Sequence, residues 1–162
     1  KDNYCRFYLK YIEPLRTLIK KGSFRFATLE QLPGWNAVMG LQFENLVCNN
    51  VREILRQIGL ERALLLSAAP FRQNKTARSE ACQIDLLLQT KHTHYLVEIK
   101  RRESLGEEVV GEVQDRAHKL KVKRGVSVIP ILVYEGHLSK RVLADGYFAR
   151  VISADDLIGR EL

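Results

Sequence analysis

The sequence predicts an α/β domain built on a mixed central β-sheet flanked by helices. Three observations predict it. Residues 83–88 and 95–100 are short aliphatic runs separated by a polar gap, Gln89 to Thr93, which reads as a hairpin connection. Residues 126–134 form a nearly continuous apolar run of strand length, as in a strand covered on both faces. Before and between these runs, apolar residues recur at helical spacing over 36–58 and 107–121. That order, helix then hairpin then helix then strand, is that of a layered α/β fold.

At 162 residues, 46% hydrophobic and 28% charged, the chain has the length of one ordinary domain and a globular composition, neither disordered nor membrane-like. No apolar run is long enough to span a bilayer, and no secretory leader is recognisable, so no membrane partner is expected. Cys5, Cys48 and Cys82 are odd in number and far apart, which fits reduced thiols in a cytoplasmic protein. A first residue of Lys1 rather than Met suits a segment of a longer protein. The net charge of +7 favours an anionic partner, nucleic acid first.

In chain order, residues 1–35 are expected to be a helical segment and linker, and 36–162 a single compact unit. Tyr4, Phe7, Tyr8, Tyr11 and Ile12 make a helical stripe that serves as packing surface, with Asp2 as a cap and Pro14 as a stop or kink. Gly22, Pro33 and Gly34 mark an irregular link. The 36–58 helix carries Phe43, Val47, Val51, Ile54 and Ile58 on one stripe, widened by Leu46 and Leu55. Asn36 is placed as its N-cap and Gly59 as its stop. Residues 62–69 are a strand candidate, and 70–80 a basic connection. After Lys100 a loop is expected over 101–106, then the 107–121 helix, with acids early and bases late as the helix dipole favours. Phe148 to Ile152 is a last short strand, and Ser153 caps a terminal turn.

The charges inside the hairpin need a reason. Side chains alternate along a strand, so Glu98 and Lys100 share a face, and Val97 and Ile99 take the other. Asp85 is placed on the face of Gln83 and Leu87 of the neighbouring strand, so that two carboxylates and an ammonium meet. Buried charges are costly unless paired or metal-bound. A cross-strand ion pair at a sheet edge is the plain alternative. His92 and His94 read as a surface turn, and no GxSxG nucleophile motif is present.

Asp85, then Glu98-Ile99-Lys100 on the next strand, with Glu44 on the preceding helix, resembles the PD-(D/E)XK nuclease superfamily over residues 36–135. Ile84 stands where the motif has its nominal proline. The resemblance implies a restriction-endonuclease-like core and Mg²⁺- or Mn²⁺-dependent hydrolysis of phosphodiester bonds, in DNA above all. It implies Asp85 and Glu98 as metal ligands, joined by the Ile99 carbonyl, and Glu44 holding a metal-bound water or a second ion. Lys100 would orient the attacking water, and Gln114 would stand near the site. Arg101, Arg102, Lys119, Lys121, Lys123 and Arg124 bracket the crossover helix and are candidates for phosphate contact. A solvated basic face is the alternative.

Residues 2–8 and 40–44 further resemble the C-terminal region of archaeal-type AAA+/STAND ATPases, which implies ATPase and winged-helix domains earlier in the parent chain. No GxxxxGK[ST] phosphate loop occurs in this sequence, so it is not expected to hydrolyse ATP itself. The alternative function is a catalytically inactive nuclease-like module that binds nucleic acid or protein for that ATPase.

Overall fold

The computed structural model describes residues 3–25 and 28–158, so the expected cap Asp2 lies outside the described residues. The chain divides into two compact units, Lys1–Phe43 and Glu44–Leu162. The sequence reading had placed this division at 35/36.

In the first unit, α1 (Asn3–Phe7) leads through a π-helical turn, Tyr8–Ile12, into α2 (Glu13–Lys20). Pro14 therefore does not end the helix. It sits in the first turn of α2, where its missing N–H is least costly, and the wider π turn precedes it, with Glu13 N–H donating to the Tyr8 carbonyl. The aromatic stripe is packing surface in part: Tyr11 is buried, whereas Tyr4 is 71% exposed. Tyr11 is buried with Leu32 and Val38, its ring 5.4 Å from Phe7 and 6.1 Å from Trp35, and its hydroxyl donates to the Pro33 carbonyl. The helix α3 (Trp35–Asn49) starts one residue before Asn36, which is thus inside the first turn rather than its cap.

The continuous 36–58 helix is in fact two. Asn50, at φ −107° and ψ 33°, separates α3 from α4 (Val51–Gln57), and its side-chain amide bonds back to the Leu46 carbonyl. Gly59 stops α4 at φ +71°, as expected of a C-terminal glycine. Val47 and Ile54 are fully buried, whereas Leu46 is exposed and does not widen the stripe.

Five strands of the second unit form one mixed sheet in the order β1-β2-β3-β4-β5. They are β1 (Ser67–Gln73), β2 (Cys82–Gln89), β3 (Thr93–Leu105), β4 (Ser127–Leu138) and β5 (Arg150–Ser153). The first three run antiparallel; β3–β4 and β4–β5 are parallel. The crossover between β3 and β4 is α5 (Glu108–Lys119). The short helices α6 (Lys140–Asp145), which was not expected, and α7 (Ala154–Ile158) follow β4 and β5. Ser153 caps α7 through hydrogen bonds exchanged with Asp156.

Two strand expectations are corrected. The strand placed at 62–69 lies at 67–73 instead, because β2 sets it: the pairing runs from Ser67↔Gln89 to Gln73↔Cys82, and of the leucines before it Leu66 alone reaches β2, its N–H donating to the Gln89 carbonyl. Leu64 is 82% exposed. Pro70 is tolerated because β1 is an edge strand and the ladder is irregular there. Residues 101–105, expected as loop, continue β3, since parallel pairing with β4 extends to Leu105↔Leu138. This pairing slips between Arg101 and Ser104. Gly136, at φ +117°, stands so close to the Arg102 carbonyl that no Cβ could be accommodated.

One face of the sheet packs on α5. Val109, Val113 and Leu120 of that helix region bury against Leu87, Leu96 and Leu132. Each such side chain contributes about 1.5–3 kcal/mol on leaving water. Leu86, Val97, Ile131 and Val133, pointing the other way, are also buried, so the sheet is covered on both faces. In this core lies a single fully buried charged residue among the described residues, Glu98.

Candidate active site

The antiparallel ladder of β2 and β3 ends at Leu86↔Val97. Beyond it the Asp85 carboxylate takes the place of a strand partner: Oδ2 accepts the Ile99 N–H at 3.0 Å. A β-bulge sets this up. Ala69 pairs with Leu87 but Phe71 pairs with Ile84, two steps on β1 against three on β2, which leaves one extra residue at Asp85–Leu86. Ile84 and Leu87 consequently join the same core cluster, while Gln83 is exposed. The expected shared face of Gln83, Asp85 and Leu87 is therefore not found, because the bulge interrupts the alternation.

On β3 the alternation holds. Glu98 and Lys100 face α5, where Glu112 and Arg116 stand one helical turn apart. The Lys100 ammonium lies 2.8 Å from Glu98 Oε1 and 2.7 Å from Glu112 Oε2. Arg116 donates to Glu98 Oε2, and Arg102 reaches Glu112 Oε1 at 3.4 Å. The result is an alternating chain of charges, Arg116–Glu98–Lys100–Glu112–Arg102, stitched between strand and helix. Although Lys100 is at ion-pair distance, Glu98 Oε1 accepts no well-directed hydrogen bond.

Burial raises the Glu98 carboxyl above its ordinary range, and the neighbouring Asp85 charge adds to the rise; Lys100 and Arg116 oppose it. Asp85 is likewise raised by burial, against the pull of the Ile99 N–H. Glu44, half-buried, is raised by burial and then by Glu98. Burial works against the Lys100 charge, but the Glu112 and Glu98 carboxylates outweigh it and hold the ammonium protonated. The Lys100 charge is thus stabilised by its two carboxylate neighbours.

Glu44, Asn45 and Cys48 on α3 line a groove with Arg72, Gln83 and Asp85. The groove has a volume of about 210 Å³. Three of the expected site residues, Asp85, Glu98 and Lys100, are gathered together, and Glu44 lies within electrostatic reach of Glu98. Gln114 is exposed and does not join them. Two residues along a helix of 3.6 residues per turn point to opposite sides, so Gln114 is turned away from Glu112 and Arg116. Those two are the site residues that sequence reasoning missed. Their spacing beside buried Val113 was the available signal.

The six basic candidates separate into two sets. Arg101 pairs with Glu135, Arg102 with Glu108 and Glu112, and Lys119 with Asp115 and Glu80. Lys121, Lys123 and Arg124 enter no ion pair among the described residues. No group of three His, Cys, Asp or Glu placed to hold a metal ion occurs among the described residues. The donor chemistry suits a smaller set. Two mutually repelling carboxylates, one with a buried oxygen lacking a hydrogen bond, fit a hard divalent cation that keeps most of its waters.

No helix of the described residues is long and apolar enough to cross a membrane. No family model matches the chain, and no curated protein matches it. Among solved structures, the chain is similar to protein VC1899 from Vibrio cholerae, at TM-score 0.54 and 15% identity over 89% of this chain and 39% of that one. It also aligns with a repair endonuclease from Pyrococcus abyssi, at TM-score 0.44 and 22% identity over 70% of this chain and 47% of that one. The chain thus spans less than half the length of either protein. The first likeness supports the α/β fold described above.

Proposed function

We propose that the Glu44–Leu162 unit is a divalent-metal-dependent nuclease hydrolysing phosphodiester bonds of DNA, with Asp85 and Glu98 as the metal-holding carboxylates. The observation that carries this reading is Glu98. A carboxylate with no solvent exposure, set beside a second raised carboxylate where two strands part, is an expensive arrangement for a merely structural role. A bound Mg²⁺ or Mn²⁺ would supply charge neutralisation at the phosphate and a more acidic water.

The chain's own residues supply the rest. Lys100, held protonated by Glu98 and Glu112, offsets negative charge on the phosphoryl oxygens and orients water by hydrogen bonding. Glu44, whose raised carboxyl lies nearer to neutrality than an ordinary one, is suited to accept a proton from a water in the groove. Arg116, about a quarter exposed and bonded to Glu98 Oε2, can release that oxygen and turn to the phosphate. On the likeness of residues 2–8 and 40–44 alone, we further assign the chain to the C-terminal part of a larger ATPase.

The test is calorimetric titration of Mg²⁺ and Mn²⁺ into wild type and Asp85→Asn, alongside cleavage of single-stranded and duplex DNA with metal or with chelator. Metal binding and cleavage that both disappear in Asp85→Asn are expected. Cleavage at the wild-type rate by that variant would overturn the assignment.

A second reading, a nuclease-like module that only binds, is favoured by one observation: both oxygens of Glu98 already face cations, Lys100 and Arg116. It predicts nucleic-acid binding that survives both chelation and Asp85→Asn, with no cleavage by the wild type.

A further inference from the structure

A second concavity lies at the other end of the β2–β3 hairpin. It encloses about 350 Å³, within the range of roughly 300–1,000 Å³ typical of small-molecule sites. Its floor is apolar, made by Leu87, Leu120, Val122 and Val126. Leu66 stands at its rim with two-thirds of its surface exposed, an apolar side chain without cover. His94, read from the sequence as part of a surface turn, lines the cavity instead, and its Nδ1 is buried with no hydrogen-bond partner. Burial lowers the His94 pKa, which disfavours the charged ring.

Lys91, Lys121 and Lys123 surround the opening, and none is in an ion pair among the described residues. No carboxylate lines the cavity. Arg101, Arg102, Arg116 and Lys119, by contrast, all have acidic partners. Three unpaired cations and the Gln89 amide around an apolar hollow describe the complement of a ligand with a flat apolar body, a hydrogen-bonding edge and an anionic group.

We infer that this cavity binds a nucleotide, its base against the Leu87–Leu120–Val122–Val126 floor and its phosphate among Lys91, Lys121 and Lys123. A heterocycle's edge can bond the Gln89 side-chain amide that lines the cavity, whereas an acyl chain cannot. The volume admits one base and its sugar. Phe71 lines both this cavity and the groove beside Asp85, so a nucleotide seated here could be free or one unit of a strand reaching the carboxylates. The inference is independent of catalysis, since none of the residues that hold the ligand belongs to the carboxylate cluster.

The test uses the whole chain and four probes in calorimetry: adenosine 5′-monophosphate, adenosine, inorganic phosphate and a 5′-phosphorylated single strand. Adenosine monophosphate is expected to bind at one site, at least tenfold tighter than adenosine or phosphate alone. Lys121→Glu/Lys123→Glu should weaken it at least tenfold with an unchanged thermal midpoint, and Gln89→Leu should weaken it several-fold. Displacement of the mononucleotide by the strand would assign the site to a nucleotide unit of nucleic acid; binding of the mononucleotide without displacement would assign it to a free nucleotide. The inference is overturned if adenosine monophosphate binds no better than phosphate, or if the double-lysine variant binds it as the wild type does. Strand cleavage that fails while mononucleotide binding persists would count against the nuclease reading only.

Discussion

Two regions on the α5 side of the same sheet handle charge in opposite ways. At one, Glu98, Lys100, Glu112 and Arg116 are buried or half-buried, and every charge has a partner of opposite sign. At the other, Lys91, Lys121 and Lys123 surround an apolar cavity and have none. The difference follows from solvent. A lysine at the rim keeps its hydration and needs no partner, whereas a carboxylate with no exposure must find its compensation inside the protein. Paired charges hold strand to helix; unpaired ones remain available to a ligand.

Removing the centre of the paired region should have the largest effect. Glu98→Ala leaves Lys100 and Arg116 facing a buried hollow without their shared carboxylate. A loss of about 3–5 kcal/mol is expected, as for breaking a buried ion pair by removing one member. Urea unfolding of wild type and variant measures it, and Glu98→Gln should lose less. A loss under about 1 kcal/mol would mean that the alternating chain contributes little to stability.

Asp85 lies in the same region but differs in kind, since it has a hydrogen bond and no cation at contact distance among the described residues. Its pKa is raised, chiefly by burial, so the folded state binds its proton more tightly than the unfolded chain does. That contribution to stability is fully present below the ordinary value of 3.8 and is lost as pH rises through the raised one. Glu98 and Glu44 act in the same direction; Glu112 and Asp156, which are lowered, act oppositely and lose their contribution as pH falls. In Asp85→Asn the side-chain oxygen still accepts the Ile99 N–H while the charge is gone. Thermal unfolding should place this variant within about 1 kcal/mol of wild type, on the stabilising side at neutral pH, with a flatter decline from mildly acid to neutral conditions. A variant clearly less stable than wild type at neutral pH would show that the ionised form is stabilised by its surroundings.

How much of this contrast the sequence revealed depended on periodicity. Glu98 and Lys100 could be placed on one face because β3 is regular there, and the α5 stripe from Val109 to Leu120 was equally plain. The bulge at Asp85–Leu86 could not be read, since an extra residue leaves no mark until the partner strand is known. The same applies to β1, whose position is fixed by β2 and not by its own leucines, and to residues 101–105, whose charged side chains disguised a strand paired with β4. Gln114 looked plausible by residue type, but Glu112 and Arg116 were better placed by helical spacing. His94 reads as part of a turn from its neighbours, while the cavity it lines is completed by residues 120–126, far along the chain.

The smallest effect should come from Lys119, which lies between Arg116 and Lys121 in the chain. It was grouped with Lys121 and Lys123 by sequence, yet it is paired with Asp115 one helical turn away and lies near Glu80. Its ammonium is already neutralised on the surface, so an approaching phosphate gains little from it. Lys119→Ala should therefore leave thermal stability unchanged and the salt dependence of nucleic-acid binding as in wild type. Lys123→Ala should lower the slope of log K against log salt by about 0.7–0.9, the share of one phosphate contact. Equal slopes for the two variants would mean that pairing on α5 does not separate one lysine from the other, and the contrast between the two regions would then rest on the buried carboxylates alone.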